Sequence, residues 1–368
     1  MLQITLIAGA RPNFMKIAPL IHAIHDLQHA GHALKYRLVH TGQHYDHKMS
    51  GDFFEQLEIP DPDVNLGAGG GTQAEQTAAI MIGFEKELIA NRPDVVLVVG
   101  DVTSTLACSI TAKKLQVPVV HVEGGIRSGD MSMPEEINRI VTDSITDHFF
   151  TTSELANENL RKVGVDAQRI HFVGNTMIDT LLKQQPRFQK PQGELFDALE
   201  KNGYFVLTLH RPANVDEEVK LKATMEAILA GTGECPVLFP VHPRTAKILK
   251  NLGIKHPRLH YLEPLSYLSF NFLVQHAKGV ITDSGGITEE ASVMNVPCLT
   301  LRDNTERPET IHQGTNELVG TSPERLKPFL ERILAGNWKQ YQGISLWDGH
   351  AAERIIKVLY EIYGKVSR

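Results

Sequence analysis

The chain has 368 residues, 42% of them hydrophobic and 22% charged, with a formal net charge of −6. That length exceeds one ordinary core and fits two domains of roughly 150–200 residues each. The acidic balance excludes a general nucleic-acid or membrane-surface binder, which would be basic, and no apolar run approaches the ~20 residues that span a bilayer.

Leu2–Ala8 is apolar and β-branched and reads as a buried strand. No basic region precedes it and no cleavage site follows, so a signal peptide is not expected. A helix follows from Pro12 to about Ala30, then a strand at Tyr36–Thr41. Gln73–Ala90 reads as a helix, Asp94–Val99 as a strand, Thr103–Leu115 as a helix and Val117–Val122 as a strand. Glu135–Ser144 is helical, and His148–Thr152 and Ile170–Val173 are shorter strands. Continuous apolar strands separated by helices indicate a parallel sheet covered on both faces. The alternation breaks over 180–203, where two prolines and polar residues suggest a linker. It restarts with a strand at Tyr204–Leu209, a helix at Val215–Leu229 and a strand at Pro236–Pro240. Further strands are expected at Gly279–Thr282 and Val296–Leu301, and a last helix at Ala351–Tyr363. The fold class is α/β: two Rossmann-like doubly wound domains facing a central cleft, where ligands bind beyond the carboxyl ends of the strands. Cys108, Cys235 and Cys298 form no CxxC pair and read as buried free thiols in a reducing compartment. The expected location is cytoplasmic.

The chemistry-bearing residues follow the strands. Gly9-Ala10-Arg11-Pro12-Asn13 opens the first helix, with Gly9 in a tight turn and Pro12 at the first helical position. Its N-terminus suits an anion, with Arg11 and Lys16 beside it; a plain turn with two surface cations is the alternative. The segment lacks the GxGxxG fingerprint of dinucleotide sites. Asp101 ends the next central strand, as a crevice carboxylate or as a helix N-cap. Glu123 ends the strand after that, within His121-Val122-Glu123-Gly124-Gly125. Glu135 and Arg139 are spaced i, i+4, which a surface ion pair also explains. Three acids with Arg and Lys nearby form the kind of set that proton abstraction from carbon requires. In the second half, His210-Arg211 and His242-Pro243-Arg244 each follow a strand and precede a helix. Ser284, Gly285 and Gly286 can present N–H groups to a diphosphate, Glu290 lies one turn on, and Arg307 adds a guanidinium suited to phosphate. His22, His25 and His29 share a helical face but have no fixed acid or Cys with them, so a solvated face is expected there and no metal site. Gly67–Gly71 lacks the ending of a P-loop.

The ordered set GARPNFMKIAP, TGQH, VVGD, HVEGGIRSGD, PEEINR, VGN, TLHRP, VHPR, DSGG with EE, and TERPE resembles the non-hydrolysing UDP-N-acetylglucosamine 2-epimerases, from residue 5 to about 310. The resemblance implies a GT-B-like fold and a homodimer. It implies domains at 1–178 (catalytic acids) and 179–350 (UDP binding), with a C-terminal helix at 351–368 packing back on the first. It also implies Arg11 and Arg307 as diphosphate contacts, Ser284, Gly285, Gly286 and Glu290 as the UDP cradle, and Phe270 near the uracil. Lys16, Asp101, Glu123, Glu135, Arg139 and His210 match catalytic or sugar-site positions. Gln43, His44 and His242 resemble positions of an activator site for a second UDP-sugar. The implied reaction is anti-elimination of UDP to 2-acetamidoglucal and syn re-addition, with no cofactor or metal. Ala213 stands where many members carry Glu, Leu265 where some carry Gln, and the segment 67–73 differs from the common shorter form. A hydrolysing relative, a GT-B glycosyltransferase and a nucleotide sensor are the alternatives; the glycosyltransferase does not require the acid set.

Overall fold

The computed structural model describes residues 1–42, 54–201, 203–241, 245–246, 248–249 and 252–364, without the side chains of Arg11, Pro212 and Ala213. The chain divides into two compact units, Met1–Lys183 with Ser345–Arg368, and Gln184–Ile344.

The first unit holds β1 (Leu2–Ala8), β2 (Leu34–His40), β3 (Val64–Asn65), β4 (Val95–Val99), β5 (Val119–Val122), β6 (His148–Thr151) and β7 (Ile170–Phe172), in the order β3-β2-β1-β4-β5-β6-β7. Every pairing is parallel. The apolar runs explain this arrangement. All five residues of β4 and all four of β5 are buried, as a strand covered on both faces requires. The helices are α1 (Arg11–His29), α2 (Gln73–Ala90), α3 (Thr103–Lys114), α4 (Pro134–Ile145), α5 (Glu154–Lys162) and α6 (Thr176–Gln184). The strand order reverses between β1 and β4, which makes their carboxyl ends the switch point where such sheets bind ligands.

The second unit repeats the plan with β8 (Phe205–Thr208), β9 (Val237–Pro240), β10 (Leu259–Leu262), β11 (Gly279–Thr282), β12 (Cys298–Thr300) and β13 (Asn316–Leu318), in the parallel order β10-β9-β8-β11-β12-β13. Its switch point lies between β8 and β11. Its longer helices are α7 (Glu218–Gly231), α8 (Tyr267–Gln275), α9 (Gly285–Val293) and α10 (Leu326–Leu334). The single helix expected over Val215–Leu229 is instead a short turn of helix at Pro212–Val215 followed by α7, because Glu217 is extended at φ −97° and ψ 102°.

The last helix, α11 (Ala351–Tyr363), packs in the first unit, with Ile355, Ile356 and Leu359 buried. Asp179 of α6 accepts hydrogen bonds from Ala351 N at 3.1 Å and Ala352 N at 2.7 Å, so a distant carboxylate caps this helix. Burial pushes its carboxyl up to about 6. The histidine face of α1 differs from the expectation. His22 and His25 are half-buried, His22 Nε2 meets the Glu58 carbonyl at 3.1 Å, and His25 lies 3.3 Å from Tyr36 Oη. Cys108 and Cys298 are buried and Cys235 is partly so. Among the described residues no helix is long and apolar enough to cross a membrane.

Candidate active site

In the first unit the site residues leave the ends of β1, β4 and β5. Gly9 ends β1 where an added Cβ would lie 2.3 Å from Ser104 Oγ, so close packing on α3 requires the glycine. Asn13 then reaches back, its Oδ1 accepting from Ala10 N at 2.8 Å and Gly9 N at 3.2 Å. Two N–H groups of this turn, at Gly9 and Ala10, are thus taken by the helix's own asparagine. Lys16 lies one turn on and its Nζ meets Glu123 Oε2 at 2.7 Å.

Glu123 occupies the left-handed region at φ +71°, a conformation that costs a non-glycine residue of order 1 kcal/mol or more and tends to mark functional sites. Two glycines follow, and a Cβ at Gly125 would lie 2.5 Å from the Ala156 carbonyl. Gly100, at φ +67°, leaves room for the ammonium, since a Cβ there would lie 3.0 Å from Lys16 Nζ.

Asp101 follows Gly100. The helix N-cap is Val102, and the Asp101 carboxylate turns to Arg139 instead, Oδ2 to Nη2 at 2.5 Å. The guanidinium is buried and also meets Glu136 Oε2 at 2.7 Å, while Asn138 Nδ2 donates to the Asp101 carbonyl at 2.8 Å. Glu135 is exposed in the first turn of α4. The Asp101 side chain is 30% exposed and that of Glu123 is 4%. Of these two strand-end acids, Asp101 is therefore the one that solvent or a substrate reaches directly.

Three buried groups here went unassigned in the sequence. Glu136 accepts from Ser128 N at 2.9 Å and Gly129 N at 3.1 Å, fixing the loop after Gly125. Burial opposes its charge, yet these bonds and Arg139 hold its carboxyl below the usual carboxylate range. His121 and Asp143 form a 2.7 Å pair, and Arg127 Nη1 meets the other Asp143 oxygen at 2.7 Å. Burial again opposes the charge, and His121 and Arg127 together hold the Asp143 carboxyl low. The available signal was a histidine inside a fully buried strand.

In the second unit, Asp283 at the end of β11 is fully buried. It accepts from Arg211 N at 2.9 Å, His210 N at 3.1 Å and Asn214 Nδ2 at 3.1 Å, and pairs with His210 Nδ1 at 2.8 Å. The His210 and Arg211 N–H groups after β8 therefore already hold an anion supplied by the chain itself. Burial raises the Asp283 carboxyl, and these partners more than offset it, leaving it below the usual range.

Ser284, Gly285 and Gly286 are half-exposed at the N-terminus of α9. Ser284 makes no side-chain cap, so this helix end keeps the character of an anion site. Arg307 Nε pairs with Glu289 on the same helix. Arg302, also buried, meets Glu306 at 2.6 Å, and a Cβ at Gly285 would lie 3.9 Å from its Nη1. One turn into α9, Tyr267 Oη donates to Glu290 Oε1 at 2.7 Å. Burial, aided by Glu289 and opposed by Tyr267 and Asn271, pushes the Glu290 carboxyl up to about 7. Phe270 lies half-buried on α8 against the apolar cluster beneath. Gln43, His44, His242 and the Arg11 side chain lie outside the described residues.

Comparison with known proteins gives a consistent picture. A family model described as UDP-N-acetylglucosamine 2-epimerase matches residues 26–360. A UDP-N-acetylglucosamine 2-epimerase of Methanocaldococcus jannaschii is 40% identical, over 99% of this chain and 100% of that protein. A UDP-2,3-diacetamido-2,3-dideoxy-D-glucuronate 2-epimerase of Pseudomonas aeruginosa is 38% identical, over 98% and 100%. The crystal structure of the M. jannaschii protein in complex with UDP-GlcNAc and UDP superposes with a TM-score of 0.87 at 39% identity, covering 98% of this chain and 100% of that one. That of the Neisseria meningitidis UDP-GlcNAc 2-epimerase bound to UDP-GlcNAc gives 0.87 at 28%, with the same coverage.

Proposed function

The chain belongs to the UDP-N-acetylglucosamine 2-epimerase family, and on that premise we propose that it interconverts UDP-N-acetylglucosamine and UDP-N-acetylmannosamine without net hydrolysis. The observation that carries this reading is the pair of strand-end carboxylates, Asp101 and Glu123, each held against a cation (Arg139 and Lys16) at the switch point of the first sheet.

The C2 proton is weakly acidic, because the N-acetyl group does not activate it as a carbonyl would. Its removal must be coupled to departure of UDP. A carboxylate takes the proton, the C2–H electrons form the C1=C2 double bond, and the C1–O bond breaks with its pair going to UDP. The product is 2-acetamidoglucal. In the return step the UDP oxygen attacks C1 and a proton is delivered to the opposite face of C2. Asp101, as the open carboxylate, is the base in one direction. Glu123 with Lys16, and Glu135, serve the proton of the other direction and the charge of the site. The N-terminus of α9 at Ser284, Gly285 and Gly286, with Arg11 and Arg307, holds the diphosphate, and Glu290 accepts from the ribose. Phe270 lies near the uracil, and His210 belongs to the leaving-group side. Gln43, His44 and His242 belong to a second UDP-sugar site. No cofactor enters this scheme. A homodimer is part of the reading, and sedimentation should give a dimeric mass.

Incubation with UDP-GlcNAc in D₂O should place deuterium at C2 of both epimers by NMR. Epimerisation without exchange rules out the mechanism, stoichiometric free UDP points to a hydrolysing enzyme, and transfer to an acceptor points to a glycosyltransferase. The same time course with a UDP-2,3-diacetamido uronate separates the two sugar classes.

Glu290 supplies a second expectation. With its carboxyl near 7, a sizeable fraction is protonated in the free enzyme at neutral pH. Ribose hydroxyls that donate to it favour the anion, so UDP binding releases part of a proton and tightens as pH rises from 6 to 8. Calorimetry in buffers of different ionisation enthalpy should detect this release. Glu290→Gln should abolish it and weaken UDP by about 10-fold or more. Proton uptake, or release unchanged in the variant, would exclude Glu290 from the nucleotide site.

A further inference from the structure

His121 is fully buried in β5, two residues before Glu123. Its Nδ1 lies 2.7 Å from Asp143 Oδ1 and its Nε2 lies 2.7 Å from the Gly100 carbonyl, immediately before Asp101. Both partners are acceptors. A carbonyl oxygen has no proton to give, so Nε2 donates. Asp143 also accepts from Gly125 N at 3.0 Å and faces Arg127 at 2.7 Å, which commits it to the carboxylate, so Nδ1 donates as well. A ring that donates from both nitrogens is an imidazolium.

The surrounding backbone is shaped for this pair. Gly124 lies over it, and a Cβ there would sit 3.4 Å from both His121 Nδ1 and Asp143 Oδ1, and 2.9 Å from the Phe149 ring. The strand ends joined are those that carry the two acids. Gly100 N donates to the Val122 carbonyl at 3.0 Å, so β4 and β5 remain paired up to this point. Beyond it the ladder ends. The Gly100 carbonyl turns to the His121 ring, while Glu123 N donates to the Phe150 carbonyl of β6 at 2.9 Å.

We propose that His121, as a buried imidazolium between Asp143 and the Gly100 carbonyl, is a positioning residue that sets the separation of Asp101 and Glu123. It touches neither acid's carboxylate by any bond described above and acts through the backbone that bears them. Its kinetic consequence rests on the epimerase reading; its protonation and hydrogen bonds do not. A displacement of about 1 Å in a reacting group costs on the order of 100-fold in rate, so the expected effect falls on kcat.

Two amide variants separate the two bonds. In His121→Asn the amide nitrogen sits near the place of Nδ1 and keeps the Asp143 bond, while the Gly100 bond is lost. In His121→Gln the amide nitrogen sits near the place of Nε2 and keeps the Gly100 bond. His121→Asn should lower kcat on the order of 100-fold with KM and UDP affinity within a few-fold. His121→Gln should keep kcat within about 10-fold of wild type. Independently, two-bond ¹H–¹⁵N spectra of the wild-type protein should contain one slowly exchanging ring with both nitrogens protonated, and this signal should vanish in either variant. If His121→Asn does not fold, the spectrum and the Gln variant still decide: a neutral ring, or a Gln variant folded but 100-fold slow, overturns the proposal. Wild-type kcat in a folded His121→Asn also overturns it. Absence of epimerisation by the wild type would instead remove the reaction while leaving the spectrum to test the ring.

Discussion

Asp101→Asn should reduce deuterium incorporation at C2 about 1000-fold, within the range that general acid–base groups supply, while UDP binding stays within a few-fold. The substitution preserves volume and leaves an oxygen to accept from Arg139 Nη2, now 2.5 Å from the carboxylate. The Asn138 bond to the Asp101 carbonyl is untouched, because it is made to the backbone. Folding should therefore survive, and a thermal melt within a few degrees of wild type is the control. Glu123→Gln is the informative partner. Its side chain is closed to solvent and bound to Lys16, so it should slow net epimerisation but retain more exchange than Asp101→Asn, since the first proton is removed elsewhere. The reverse order, with Asp101→Asn exchanging freely and Glu123→Gln silent, would transfer the base role to Glu123.

The fold was legible wherever burial writes itself into consecutive residues. The run Val95–Val99 carries no alternation because both its faces are covered, and the whole parallel sheet follows from runs of that kind. Asp101 and Glu123 stood out as candidates for a similar reason, because residues just beyond such strands face the ligand side of the sheet. What the sequence hid are the partners. Lys16 and Glu123 are 107 residues apart, and Arg139 and Asp101 are 38 apart. The i, i+4 spacing of Glu135 and Arg139 pointed to a neighbour, while the tertiary structure places Glu136 and Asp101 on the guanidinium. Local spacing cannot report which way a buried guanidinium turns. Asp283 shows the same limit from another side. It ends its strand as Asp101 does, yet the glycines after it drew the reading toward a ligand and away from the aspartate, whose role is internal.

Asp283→Ala should destabilise the second unit by about 3–5 kcal/mol. It removes the acceptor for two backbone N–H groups, at His210 and Arg211, and for the Asn214 amide, which is itself buried and donates onward to the Leu301 carbonyl at 3.0 Å. Asp283 is fully buried in the folded chain. The three segments it joins follow β8, β11 and β12, so the change loosens the end of the sheet from which α9 springs. A melting transition lowered on the order of 10 °C is expected. Asp283→Asn should recover part of this, since one oxygen still accepts while the new NH₂ group confronts N–H donors. The pH dependence has a definite sign. The folded-state carboxyl lies below the usual range, so its stabilisation is fully present above the unfolded value of about 3.9 and is lost as pH falls through the folded one. Urea titrations should thus give a gap between wild type and Asp283→Asn that persists from pH 7 down to about 5 and closes only below about 4. A gap that narrows between pH 7 and 5, or an alanine variant melting within a degree or two of wild type, would mean that this carboxylate does not hold the three strand ends together.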